Sequence, residues 1–215
     1  LSTLTQSTFV GGTLDDWGYA LTISSAGEIY VTGHTSSEDF PVSANCYDSS
    51  FNGDSGVDVG DDVMVICLSS NLDALIASTY LGGVAWDCAN WLGVAPDGSV
   101  FVAGHAASND FPTTAGVFQP FHAGGSTDWE GDVFVARFDS LLTQYQAGSC
   151  FGGTGTDGVG SGALAPDGAV IINGFTKSEN LPGSNAGFDS DYNSGAGPAS
   201  QGDCFIMRVD SDLIG

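Results

Sequence analysis

The chain repeats itself at a spacing of 70 or 71 residues, and this periodicity limits the folds open to it more than any other feature. One segment, STFVGGTLDDWGYALTISSAGEIYVTGHTSSEDFP, starts at Ser7, and a second, STYLGGVAWDCANWLGVAPDGSVFVAGHAASNDFP, starts at Ser78. A third, SCFGGTGTDGVGSGALAPDGAVIINGFTKSENLP, starts at Ser149 and is one residue shorter before its glycine pair. Glycine pairs recur at 11–12, 82–83 and 152–153, each followed by an aspartate: Asp16, Asp87 and Asp157. Gly33, Gly104 and Gly174 recur, as do Pro41, Pro112 and Pro182. Each copy then closes on an apolar run opened by Asp62, Asp132 or Asp203.

Each copy reads as four strands. ALTIS, WLGVAP and SGALAP are short, mostly apolar runs that end in SAGE, PDGS or PDGA, where glycine supplies the positive φ of a tight hairpin. The return runs IYVTGH, VFVAGH and VIINGF are rich in β-branched and aromatic residues. A long loop opened by Ser-x-Asp/Asn-Phe/Leu-Pro leads to a third strand, MVICL, FVARF or FIMRV, and the apolar run before the next glycine pair is the fourth. No helical periodicity is visible. The expectation is an all-β, β-propeller-type fold of three four-stranded antiparallel blades of about 70 residues. The repeats run approximately over 7–77, 78–147 and 148–215 as one repeat domain. A β-solenoid competes less well, because its rungs are shorter and lack hairpin turns.

These motifs resemble the SBBP repeat, a bacterial and archaeal β-propeller repeat of cell-surface and secreted proteins. The likeness runs from STYLGG through DG-x-V-(Y/F)-V-x-G to S-x-(D/N)-(F/L)-P and D-(A/V)-F-V, in three copies. It implies an extracytoplasmic propeller used for structure or interaction, with no activity assigned to the repeat itself. The basic residue that usually follows the third strand's core is matched by Arg137 and Arg208, whereas Cys67 holds that place in the first copy. Phe175 and Leu181 also depart from the His and Phe of the other copies.

Closed propellers have about four to eight blades, so three copies make an ordinary ring difficult. The N-terminal run 4–10 reads as a fourth strand that completes a blade, in its own chain or in a neighbour's. Between chains this gives a larger ring or an open filament. The expectation is therefore self-association through terminal strand exchange in a multimeric surface assembly. The alternative is a carbohydrate- or protein-binding module excised from a longer propeller, using Tyr47, Phe51, Phe118, Phe121 and Tyr192.

Charge narrows the partners. Twenty-six acidic residues face three basic ones, a net charge of −23. Binding to nucleic acid needs clustered Lys and Arg, which are missing, and anionic membranes are disfavoured for the same reason. No run approaches the roughly eighteen apolar residues of a membrane-spanning helix. The acidic balance reads either as a solubility device or as an attraction for cations. The third-strand loops hold the oxygen-rich sequences DSSFNGDSGVDVGDD and DSDYNSGAG, so calcium is the cofactor expected if there is one, held by Asp189, Asp191, Asn193, Asp54 and Asp58. Asp16, Asp87, Asp157, Asp62, Asp132 and Asp203 read as structural carboxylates that accept turn N–H groups. The five cysteines form no C-x-x-C pair and fit either two disulfides in an exported protein or reduced core thiols. His34 and His105 occupy equivalent positions and His122 lies in a loop; Trp17, Trp86, Trp91 and Trp129 read as blade packing. No G-x-S-x-G elbow or positioned base points to catalysis, so the chain is read as a non-enzyme, extracellular in a processed mature form.

Overall fold

A computed structural model describes residues 3–53, 60–124, 131–193 and 202–213. Its described residues are all β apart from one short 3-10 turn at Ser184–Ala186. Three antiparallel sheets follow one another along the chain. The first holds β1 (Asp16–Ile23), β2 (Ile29–Thr35), β3 (Asp62–Leu68) and β4 (Leu75–Leu81) in sequence order. The second holds β5 (Asp87–Val94), β6 (Val100–Ala106), β7 (Asp132–Phe138) and β8 (Tyr145–Phe151). The third holds β9 (Asp157–Leu164), β10 (Val170–Thr176) and β11 (Asp203–Val209). This up-and-down order, repeated in face-to-face sheets, is consistent with propeller-like blades.

Local chemistry explains the turns. Gly27, Gly98 and Gly168 sit at positive φ in the three first hairpins, as the SAGE, PDGS and PDGA runs predict. The turns that follow the third strand of each sheet use leucine instead: Leu72, Leu142 and Leu213 have φ near 59, 55 and 58°. Left-handed backbone costs a side-chain-bearing residue about 1 kcal/mol. Leu142 and Leu213 bury their side chains completely between sheets, which offsets that cost, whereas Leu72 is only half-buried.

The middle sheet is covered on both faces. Tyr30, Val63, Val65 and Cys67 of the first sheet pack against Leu92, Val102, Phe134 and Ala136 of the second. The opposite face of the second sheet sets Phe101, Val133 and Val135 against Ile172, Phe205 and Val209 of the third. This two-sided burial explains why strands such as DVFVARF read as continuous apolar runs rather than alternating ones. The sheets are offset from the sequence repeats: Leu75–Leu81 straddles the start of the second copy yet closes the first sheet, and the glycine pairs are the crossings between sheets. The N-terminal run 4–10 is paired with no strand among the described residues, and Phe9 is fully exposed.

Candidate functional site

The recurring aspartates meet where one sheet hands over to the next. Asp87 opens β5 with its N–H donating to the Asp61 carbonyl of the first sheet at 2.8 Å, and the Asp157 N–H donates likewise to the Gly131 carbonyl at 2.9 Å. The Asp87 carboxylate accepts from the N–H groups of Gly83, Ala107 and Ser108 and from the Ser108 hydroxyl. Asp157 accepts from Gly153 N–H and Ser178 Oγ, and Asp16 from Gly12 N–H, Thr35 Oγ1 and Ser37 Oγ. One carboxylate thus ties the glycine-pair crossing to the Ser-x-Asp/Asn loop.

The second aspartate of each copy anchors the long loop. Asp62 Oδ2 accepts the Asn52 N–H at 2.8 Å, Asp132 Oδ2 accepts the Ala123 N–H and the Gln119 amide, and Asp203 Oδ2 accepts the Asn193 N–H at 2.7 Å. A Cβ on Gly82 would collide with the Asp62 carboxylate and sit 3.1 Å from Asp87 Oδ2, so the glycine pair lets two carboxylates approach one backbone. Both are fully buried, and Asp62 Oδ1, Asp132 Oδ1 and Asp157 Oδ1 accept no hydrogen bond from the described residues. Burial, with help from Asp87, Asp48 and Asp61, pushes Asp62 up to about 8 against the lowering hydrogen bond from Asn52. Burial raises Asp87 to about 7 despite its hydrogen bonds, and raises Asp132 to about 6 with Asp157 adding to it. Burial thus favours the protonated form of these carboxyls.

Three of the five residues expected to bind calcium fall among the described residues. Asp189, Asp191 and Asn193 lie in one exposed loop that closes on itself: Asp189 Oδ1 accepts the Asp191 N–H at 3.0 Å, and the Asn193 amide donates to the Asp191 carbonyl. The first copy repeats this turn with Asp48, Ser50 and Asn52. Asp54 and Asp58 fall outside the described residues, as does Trp129. Among the described residues no group of three or more His, Cys, Asp or Glu is gathered as a metal would require.

The cysteines are all free thiols; Cys67, Cys88 and Cys150 are buried in core packing, so the two-disulfide expectation gives way to reduced thiols. His34 Nδ1 lies 3.0 Å from Asp61 Oδ2, with Trp17, Tyr19 and Trp86 around its ring. The Ser36 hydroxyl donates to Asp61 at 2.6 Å rather than to His34, so the imidazole does not activate it. His105 faces the Asp157 carbonyl at 3.3 Å and His122 the Gly124 carbonyl at 2.7 Å. Trp91 is buried in the second interface, while Trp17 is exposed.

Of the loop aromatics, Tyr47 stacks on Tyr145 of the next sheet at 4.8 Å and Phe51 packs on Tyr80, so both are anchors. Phe118 stacks on Phe151, and Phe121 is exposed. Tyr192 lines a groove of about 650 Å³ between β11 and the loop 181–193, with Leu181, Phe188, Asp203 and Ile206. In the first two sheets the matching space holds the fourth strand: β4 bonds β3 on one side and, through the Tyr80 N–H to the Asp48 carbonyl, the loop on the other. β8 does the same through the Cys150 N–H and the Gln119 carbonyl. Sequence reasoning missed this loop-to-strand pairing and the positive-φ leucines. The leucines carried a signal, a Leu recurring at the third position of the SNL, SLL and SDL turns.

Residues 7–41 match the family model described as a beta-propeller repeat, SBBP. That run spans the first glycine pair, β1, β2 and the Ser-x-Asp-Phe-Pro loop, which are the parts that build each crossing. No curated protein matches the chain.

Proposed function

We propose that this chain is a structural unit of three β-propeller blades, working outside the cytoplasm, whose role is to assemble with further copies of itself rather than to turn over a substrate. One observation carries the reading. The groove between β11 and the loop 181–193 corresponds to the space that β4 and β8 fill in the other sheets, and the run 4–10 has the sequence to fill it. Ser7, Thr8 and Phe9 correspond to Ser78, Thr79 and Tyr80 of β4. An open sheet edge beside an unpaired strand-forming run favours β-augmentation between chains. The extracytoplasmic setting is supported by the SBBP resemblance.

Native mass by light scattering across a concentration series tests the reading. Multiples of the 21.9 kDa chain that grow with concentration are expected. A monomer at every concentration would remove the assembly role and turn attention to ligands of the loops.

A further inference from the structure

The two internal sheet–sheet junctions are built from the same four contacts. First, the opening aspartate of one sheet and the third-strand aspartate of the sheet before it converge on the glycine pair, as Asp87 and Asp62 do on Gly82, and the opening aspartate's N–H bonds the preceding sheet's carbonyl. Second, a loop aromatic reaches forward to the next sheet's leucine turn: Tyr47 N–H to Leu142 carbonyl at 2.8 Å, and Phe118 N–H to Leu213 carbonyl at 3.3 Å. Third, a polar side chain reaches the neighbouring turn carbonyl: Tyr30 Oη to Ser140 at 2.9 Å, and Arg137 Nη1 to Ser211 at 3.3 Å. Fourth, apolar residues of the two faces interdigitate. The third contact also explains Cys67: Tyr30 takes the turn carbonyl in that junction, so no arginine is required there.

Among the described residues, half of every contact is present and unpaired on the outward faces of the first and third sheets. On the third sheet stand Asp203, Phe188 and Arg208, which correspond to Asp132, Phe118 and Arg137. Phe188 is fully exposed, and Arg208 already holds Asp167 at 2.6 Å as Arg137 holds Asp97 at 3.0 Å. On the first sheet stand Asp16, Leu72 and Ser70, which correspond to Asp87, Leu142 and Ser140. The apolar faces show the same vacancy: Ile206 is 78% exposed where Val135 is 0%, and Leu21 is 67% exposed where Leu92 is 3%.

Resting on the assembly reading above, we infer that the outward face of the third sheet docks the outward face of the first sheet of a second copy, reproducing the internal junction across chains. Asp203 meets the partner copy's opening strand, Phe188 bonds the turn carbonyl at position 72, and Arg208 the carbonyl at position 70. The contact is head-to-tail, so each copy keeps one free face and growth continues until a ring closes. A second copy is the occupant because the chain itself carries both halves of the junction, residue for residue.

The test blocks one face at a time. Ile206→Lys places a charge on the third-sheet face and Leu21→Lys on the first-sheet face, both at exposed positions that leave the monomer core intact. Each variant alone is expected to need about 100-fold more protein to associate, the effect of burying an unpaired charge in an interface. Mixed in equal amounts, the two are expected to form a dimer and nothing larger, since one free face of each remains compatible. Phe188→Ala, which removes a side chain touching no core, is expected to weaken association without shifting the melting temperature. A wild type that stays monomeric overturns the assembly reading itself. A wild type that assembles, with variants that assemble equally well or a mixture that stays monomeric, overturns only this pairing of faces.

Discussion

At the residue scale, the buried acid pairs set a pH dependence opposite to that of most proteins. A carboxyl whose folded pKa is raised contributes stability that is fully present below its unfolded value and is lost as pH rises through the folded value. Asp62 is raised to about 8, Asp87 to about 7 and Asp132 to about 6, so these groups weaken the fold progressively from about pH 4 to pH 8. Asp61 works the other way: burial would raise it, but hydrogen bonds from His34, Ser36 and Trp86 hold it down. The difference between wild type and Asp62→Asn isolates the pair. An amide keeps an acceptor for the Asn52 N–H and places no charge near Asp87. Urea titrations at pH 5 and pH 8 should show the wild type losing about 1–3 kcal/mol over that interval and the variant losing less. Equal losses in both proteins would mean that Asp62 does not hold the proton.

At the scale of elements, the empty strand position makes a prediction about register. β3 pairs Val63 with Leu81 and Val65 with Thr79, so the run 4–10 laid beside β11 sets Val10 opposite Cys204 and Thr8 opposite Ile206. Cys204 is an exposed free thiol. Directly opposed residues in antiparallel strands lie within reach of a disulfide. Val10→Cys should therefore cross-link into covalent multimers under mild oxidation, seen as a ladder on non-reducing gels, and Cys204→Ser should abolish the ladder. A Val10→Cys protein that cross-links only within one chain would mean that the strand closes its own molecule. The strands themselves were legible in the sequence because hairpin glycines and β-branched runs act locally, and the three copies confirmed one another. The carboxylates of Asp16, Asp87 and Asp157 were legible as turn acceptors for the same reason. The forward reach of Tyr47 and Phe118 was not, because an aromatic in a polar loop reads the same whether it meets a ligand or the next sheet. Nor was the approach of Asp62 and Asp87 to one glycine, Gly82, since the two acids lie 25 positions apart and draw near only once two sheets are stacked.

At the scale of the whole molecule, the charge and the proposed docking faces pull against each other. Twenty-six acidic residues against three basic ones give every copy a large negative field, and two of the three cations, Arg137 and Arg208, are held by turn aspartates. Copies therefore repel at long range, while the faces that would meet are led by Leu21, Ile23, Phe175 and Ile206. Salt acts on the two terms differently. The screening length falls from about 30 Å at 0.01 M to about 3 Å at 1 M, which removes the repulsion, while burial of apolar surface is little weakened. The concentration needed for half-association should thus fall steadily as sodium chloride rises, levelling off once the screening length is shorter than the spacing between surface charges. Sedimentation velocity over a salt series measures this directly. Were the copies instead held by ion pairs between Arg208 or Lys177 and the acidic surface, salt would dissociate them. The sign of the slope therefore decides whether the assembly is an apolar stack that tolerates its own charge or an ionic one that depends on three cations.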